Sequence, residues 1–258
     1  MNDLPQAGVP APPVPSAWQM AGSAYALIGL NFGPLITIIW PWAILSLAFR
    51  YVLGPLTEAE GDFRNGFLLG ALTMVWQSGF LLRWYRFLDG NWRPSGPRDL
   101  IPDAHDVRFF ATFAAIQLLV LAPLLAGAGY VWLSGSAGTP TALGPGAVAM
   151  FLALAVLIAS LRLTLMLPAI AAGDRRVDVA TAWKLTRNCY WRLAFAILIA
   201  SLPAVALDLA LPAMSTFQTT GVGFAIVAAD ELGTWLSLIA MSTVVSVAYG
   251  HLVQNRPV

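Results

Sequence analysis

Long runs of apolar residues without a charged side chain are the main pattern along this chain. Residues 109–161 contain no Asp, Glu, Lys or Arg, and the turn-rich segment 134–146 divides this run into two apolar stretches. A helix needs roughly 20 apolar residues to cross the ~30 Å of bilayer hydrocarbon, where it must satisfy its own backbone. No run shows the alternation of a membrane β-barrel. The pattern therefore predicts an all-α polytopic membrane bundle with six transmembrane helices, at about residues 31–51, 65–85, 109–132, 146–168, 191–212 and 232–253.

Two shorter apolar segments predict helices at the membrane interface. In residues 16–28, Ser16 and Gln19 have the spacing of a capping box, which satisfies two backbone donors at a helix start. The second segment, residues 178–190, is amphipathic. Its apolar face holds Val179, Ala182, Trp183, Thr186, Cys189, Tyr190 and Leu193, and its basic and polar face holds Lys184, Arg187 and Asn188. We expect the basic side chains to point towards lipid headgroups and the aromatic side towards acyl chains.

The two interfacial segments also resemble each other. At an offset of 165 positions three residues are identical, which are Ala17 and Ala182, Trp18 and Trp183, and Tyr25 and Tyr190. Such similarity is typical of a duplicated unit, so two related halves over residues 16–132 and 146–258 are a hypothesis. We expect a single membrane domain over residues 16–258, after a Pro-rich, disordered tail over residues 1–15.

The distribution of basic residues predicts the orientation. They concentrate after the second span (Arg83, Arg86, Arg93, Arg98 and Arg108) and after the fourth (Arg175, Arg176, Lys184, Arg187 and Arg192), whereas the loops after the third and fifth spans have none. The positive-inside rule then predicts cytoplasmic N and C termini in a bacterial inner membrane. Tryptophans near predicted span ends, including Trp42 and Trp84, predict interface anchors.

Composition excludes several classes of protein. The chain has 258 residues, of which 58% are hydrophobic and 10% charged, whereas soluble domains carry ~25% charge. A net charge of +1 leaves no basic patch for nucleic acid, and the single cysteine excludes a disulfide scaffold. His105 lies beside Asp103 and Asp106, but this spacing is not a metal-ligand pattern. No catalytic or cofactor-binding motif is present, so we expect no metal, no cofactor and no enzymatic activity, with a membrane-embedded enzyme as the alternative.

Three segments carry a resemblance to a known family. They are RLTLMLPAIAAGDRRVDVATAWKLTRNCYWRLAFAILIASLP, RWYRFLDG and TVVSVAYGHL, together about a quarter of the chain. They resemble the YciC-like family of six-span bacterial inner-membrane proteins, and are similar to the membrane domain of some glycerophosphoryl diester phosphodiesterases. The chain departs from the family at Tyr85, where relatives often have His. The resemblance implies architecture and location, but no activity, because the family has none assigned and this sequence lacks the phosphodiesterase catalytic domain.

Arg162 is the most unusual residue, because it lies within the predicted fourth span. An arginine at the centre of a membrane helix costs at least ~2.5 kcal/mol on insertion scales, so it needs a partner. We consider snorkelling to phosphates, a carbonyl freed near Pro168, or a polar bundle interior formed by Asn31, Gln77 and Gln117. We also expect the carboxylates of three residues near span ends to be hydrated at the membrane interface. They are Asp208, Asp230 and Glu231.

These residues lead to two functional hypotheses. The first is a non-enzymatic inner-membrane protein that engages anionic lipid headgroups, a partner protein or a second copy of itself through a basic cytoplasmic face. Its contact residues would be Arg162, Trp183, Lys184, Arg187 and Arg192. The alternative is a small permease for a small or amphipathic solute, with a path near Arg162.

Overall fold

A computed structural model describes residues 14–60, 63–93, 106–119, 143–174, 176–214 and 220–256. All regular secondary structure in these ranges is helical. The helices are α1 (Ala17–Leu30), α2 (Phe32–Glu60), α3 (Phe63–Leu88), α4 (residues 106–119), α5 (Leu143–Leu163), α6 (Met166–Ala171), α7 (Val179–Thr186), α8 (Tyr190–Met214) and α9 (Thr220–Gln254). Most of the predicted tail, residues 1–13, lies outside the described residues.

Four segments of the described chain are helical, long enough and apolar enough to cross a membrane. They are Phe32–Val52, Leu154–Ala171, Tyr190–Leu207 and Val227–Gln254. They coincide with the predicted first, fourth, fifth and sixth spans and indicate a membrane protein. The second predicted span is helix α3, which is not among the four. Because the third lies largely outside the described residues, the number of six spans stays a prediction.

The fourth predicted span is two helices rather than one. Helix α5 ends at Leu163 and α6 begins at Met166. The cause is Pro168, which has no amide hydrogen to donate to the carbonyl of Thr164 four residues earlier. That carbonyl accepts instead from the backbone N–H of Leu167, at 3.0 Å, in the tighter turn between the helices.

The sixth predicted span begins earlier than expected. Helix α9 starts at Thr220, so Asp230 and Glu231 lie within the helix and not before it. Glu231 is buried and accepts a hydrogen bond of 2.7 Å from the indole N–H of Trp235. The prediction of a wet carboxylate is therefore wrong for Glu231, because a neighbouring indole and Arg50 satisfy it inside the bundle.

Helix α1 begins with the predicted capping box. The backbone N–H of Gln19 donates to Oγ of Ser16 at 3.2 Å, and the backbone N–H of Ser16 donates to Oε1 of Gln19 at 2.8 Å. Met20, Ala21 and Ala24 are buried against α8 and α9. Small residues on this face allow close helix contact. An interfacial position for α1 stays a prediction.

The Tyr25 hydroxyl joins α1 to the middle of α8 by a hydrogen bond. It donates to the main-chain carbonyl of Ala200 at 2.8 Å. Ala200 neighbours Ile199, whose carbonyl loses its helical donor because Pro203 has no amide hydrogen. Helix α1 therefore contacts α8 where proline weakens the backbone hydrogen-bond ladder.

Helix α7 is shorter than predicted. It ends at Thr186, and a turn separates it from α8, which begins at Tyr190. Asp178 caps its start, accepting from the backbone N–H of Thr181 at 2.7 Å. Helix α7 packs against α5, whereas α1 packs against α8 and α9. The two predicted interfacial helices thus have different neighbours, and the duplication stays a prediction.

Helix α3 packs against α2, α6 and α9. Phe80, Leu81, Leu82 and Trp84 have at most 1% of their surface exposed. The indole N–H of Trp84 donates to the Thr243 hydroxyl on α9 at 3.0 Å. The prediction of interface anchoring is therefore wrong for Trp84 and for the buried Trp42, because both fill the core.

Side-chain contacts gather the ends of the helices into two groups. At one end Asp89 accepts from Arg256 and Gln254, and Tyr249 donates to Asp174. We call this the basic end, because Arg256 lies there and Cys189, in the basic segment of Lys184, Arg187 and Arg192, lies beside His251 and Leu252 at the end of α9. The opposite end joins Arg50 to Asp230 and Glu231. The segments predicted to be cytoplasmic thus share one end, and the side of the membrane that it faces stays a prediction.

Candidate functional site

Arg162 is stacked between two aromatic rings at the basic end. Its guanidinium carbon lies 4.4 Å from the ring centroid of Trp183 and 5.2 Å from that of Tyr190. A guanidinium within ~6 Å of a ring centroid is attracted by the electrons of the ring face. The two rings come from α7 and the first residue of α8, so the turn between these helices closes around Arg162.

The location of Arg162 makes its charge tolerable. It is the penultimate residue of α5, where the partial negative charge of the helix C-terminus favours a cation. Its Nε is buried and has no hydrogen-bond partner among the described residues. The contacts described for Arg162 are thus with two aromatic rings.

The polar interior predicted from Asn31, Gln77 and Gln117 stays a prediction. Asn31 ends α1, and its side-chain amide donates to the carbonyl of Leu27 at 2.8 Å. Gln77 on α3 and Gln117 on α4 are half-buried. The contacts that the structure gives Arg162 are with Trp183 and Tyr190. Tyr190 was not predicted as a site residue, although it lies seven residues, or about two helical turns, after Trp183.

The other predicted contact residues form an exposed rim around the stacked arginine. Lys184, Arg187 and Arg192 are all exposed on α7, the turn and the first turn of α8. Arg192 also donates to the main-chain carbonyl of Val14, which fastens the segment before α1. The structure therefore brings all five predicted contact residues to one region.

An open depression lies beside this rim. It is lined by Asp178, Val179, Ala180, Trp183 and Lys184. Hydrogen bonding from Thr181 lowers the pKa of Asp178, with a smaller contribution from the charge of Lys184. The carboxylate is therefore ionised at neutral pH, and this cap is lost only as pH falls through the lowered pKa. Even with Asp178 ionised, the rim of Lys184, Arg187 and Arg192 has a net positive charge.

A second group of charges is buried near the same end. The guanidinium of Arg83 lies 3.4 Å from Asp106 on α4, donates to the carbonyl of Gly79 at 3.0 Å, and stands 5.2 Å from the ring of Trp42. Arg86 lies 3.5 Å from the other oxygen of Asp106. Arg83 is thus a buried residue of α3 and not a residue of the loop after the second predicted span.

The described residues contain no group of three or more His, Cys, Asp or Glu side chains that could hold a metal ion. Burial raises the pKa of the Cys189 thiol, which favours the unreactive protonated form. His105 lies outside the described residues, as does the side chain of Asp208.

A separate feature is an apolar groove on the flank of the bundle, with a volume of about 570 Å³. Its walls come from α1, α2, α8 and α9, and Arg162 does not line it. We call it the lateral groove.

The stacking of Arg162 predicts the effect of removing its nearest ring. Trp183→Leu is expected to lower the free energy of unfolding by about 1 kcal/mol, the usual size of a partly exposed cation–π contact. Thermal unfolding in detergent measures this change. Trp18→Leu is the matched control, because Trp18 is 72% exposed on α1. Equal losses in the two variants would show that the contact with Arg162 adds nothing.

Comparison with protein-family models, curated proteins and solved structures gave no match. The resemblance to the YciC-like family therefore stays a prediction.

Proposed function

We propose that this chain is an integral membrane protein that binds the headgroups of anionic phospholipids at its basic end. The observation that carries the proposal is the exposed cationic rim of Lys184, Arg187 and Arg192 around the stacked Arg162. The proposed activity is binding.

The position of the rim favours lipid over a soluble partner. Tyr190 opens both helix α8 and one of the four apolar segments, so Arg187 and Arg192 lie within one turn of a predicted membrane boundary. Phosphate groups are found at this depth, and cations near an anionic surface gain about 1 kcal/mol each. Trp183 and Trp191 are exposed beside them, as is common for aromatic side chains at the headgroup level.

Removal of the rim tests the proposal. The triple variant Lys184→Gln, Arg187→Gln, Arg192→Gln is expected to weaken binding of anionic lipid by up to roughly 100-fold, from a loss of about 3 kcal/mol. The measurement is the ratio of phosphatidylglycerol to phosphatidylethanolamine that mass spectrometry finds bound to the purified protein.

The matched control removes the same charge elsewhere. Arg93, Arg108 and Arg176 are exposed arginines outside the α7–α8 rim, and their triple change to Gln should leave the lipid ratio close to that of the unaltered chain. An unchanged ratio in the rim variant would refute the proposal. An equal fall in both variants would refute a specific site, since net charge alone would explain it.

The bacterial inner membrane and cytoplasmic termini belong to the same proposal. They are supported by the basic residues after the second and fourth predicted spans and by the YciC-like segments. The small-permease alternative requires a polar path near Arg162. The lateral groove is apolar and lies elsewhere, so it gives transport of this kind no support.

A further inference from the structure

The lateral groove has hydrocarbon walls along most of its length. Aliphatic side chains of α2 and α9 form its sides, while alanines on α8 and α9 form its base. The sides include Leu35, Ile36, Ile39, Ile44, Leu232 and Leu236, and the base includes Ala200, Ala204 and Ala240. The small residues at the base create the space that the longer side chains enclose.

The groove is long. It extends along α2 from Phe32 to Leu47 and along α9 from Ala228 to Ala240, which is about 20 Å at a helical rise of ~1.5 Å per residue. An extended hydrocarbon chain fits along this length.

The polar groups of the groove are satisfied by the protein. The Tyr25 hydroxyl is donated to the Ala200 carbonyl, and Glu231 is held by Trp235 and Arg50. Tyr25 and Glu231 are thus already hydrogen-bonded within the protein. The exposed side chains at the opening, Ile36, Trp40, Ile44, Leu232 and Leu236, are also apolar.

The two ends of the groove differ. Helix α1 covers one end with Tyr25 and Ile28. The other end reaches Glu231, beside Arg50 and Asp230, whose side chains are each 38% exposed. A ligand with one charged and one hydrocarbon end would be oriented by this difference, with its charged end next to Arg50 and Asp230.

We propose that the lateral groove binds one acyl chain of a phospholipid whose headgroup lies at the Arg50–Asp230 end. The inference rests on the membrane location that the four apolar helices indicate. A groove open to the side at this depth faces hydrocarbon, and its length exceeds the ~15 Å half-thickness of the bilayer core by only a few ångströms. One extended chain from the leaflet at that end fills most of it.

Photocrosslinking tests the inference directly. The protein is reconstituted in vesicles of phosphatidylcholine that include a phosphatidylcholine with a diazirine at one chosen acyl carbon. We expect adducts near Leu47 and Leu232 when the diazirine is close to the headgroup, and near Ile28 and Ala200 when it is close to the terminal methyl. Mass spectrometry of the digested protein locates the adducts.

Two substitutions on one helix provide the matched comparison. Ala43 is half-buried and lines the groove, whereas Ala48 is exposed on the same helix and does not. Ala43→Phe is expected to reduce the groove adducts several-fold, while Ala48→Phe should leave them unchanged. Leu236→Trp narrows the groove from α9 at a 42% exposed position, so it tests the same point if Ala43→Phe fails to fold.

Three outcomes would overturn the inference. Groove adducts no more frequent than those on the exposed α8 residues Phe195 and Leu198 would indicate ordinary boundary lipid. If Ala43→Phe and Leu236→Trp leave the groove adducts unaffected, the acyl chain lies outside the groove. Groove adducts that fall as the protein-to-lipid ratio rises would identify a second copy of the protein as the occupant of the groove. Because the probe is zwitterionic and does not report on the α7–α8 rim, loss of anionic lipid binding leaves this inference intact.

Discussion

Gly79→Ala is expected to destabilise the protein by about 1–3 kcal/mol, the usual cost of overpacking a core. A Cβ atom at this position would lie 2.5 Å from Cη2 of Trp42 and 2.8 Å from its Cζ3. The indole has little freedom to move, because it is buried and stands 5.2 Å from the guanidinium of Arg83. Thermal unfolding in detergent should show a lowered midpoint.

Gly70 on the same helix is the control. A Cβ there would meet no heavy atom within 4 Å, and the residue is exposed. Since alanine favours a helix over glycine by up to ~1 kcal/mol, Gly70→Ala should leave stability unchanged or raise it. Opposite signs at positions 70 and 79 support close α2–α3 contact at Gly79. A stabilising effect at both positions would contradict it.

The sequence predicts where the helices lie along the chain better than it predicts which side chains they bury. The length of apolar runs gave α2, α8 and α9 to within a few residues at their basic ends, because crossing hydrocarbon imposes a minimum length. The capping box of Ser16 and Gln19 was predictable because it depends on residues three positions apart. The break between α5 and α6 also has a local cause, which is Pro168. It was not predicted because the apolar run continues across the break.

Burial of charged residues was not predictable from the same pattern. Arg83 occurs among other arginines after an apolar run, which is typical of a topology anchor. Its burial depends on Asp106, 23 residues away, which α4 brings beside α3. Glu231 similarly depends on Arg50, 181 residues away. Local hydropathy contains no information on contacts between helices so distant in the chain.

The grouping of the five predicted contact residues followed from the sequence, whereas the aromatic contacts of Arg162 did not. All five contact residues share one region, as the amphipathic pattern around Lys184 and Arg187 suggested. The partner of Arg162 was sought among polar groups, while the structure uses the faces of Trp183 and Tyr190. An aromatic pair two turns apart, near a lone membrane arginine, is the signal that sequence reasoning could have used.

Asp106→Asn is expected to destabilise the protein more than Gly79→Ala does. The carboxylate lies 3.4 Å from Arg83 and 3.5 Å from Arg86, and the Arg83 and Asp106 side chains have only 7% and 12% of their surface exposed. Removal of one partner from a buried ion pair typically costs about 3–5 kcal/mol, because the remaining charge stays desolvated. The expected result is a large fall in unfolding midpoint or in the yield of folded protein.

Two further variants separate burial from charge. Asp230→Asn removes a carboxylate that pairs with Arg50 while 38% exposed, and an exposed pair is worth at most about 1 kcal/mol, so its effect should be small. Arg83→Met combined with Asp106→Asn should cost less than Asp106→Asn alone, because the methionine removes the buried charge that Asp106 pairs with. If Asp106→Asn is no more harmful than Asp230→Asn, the Arg83–Asp106 pair is not a buried interaction that joins α3 to α4.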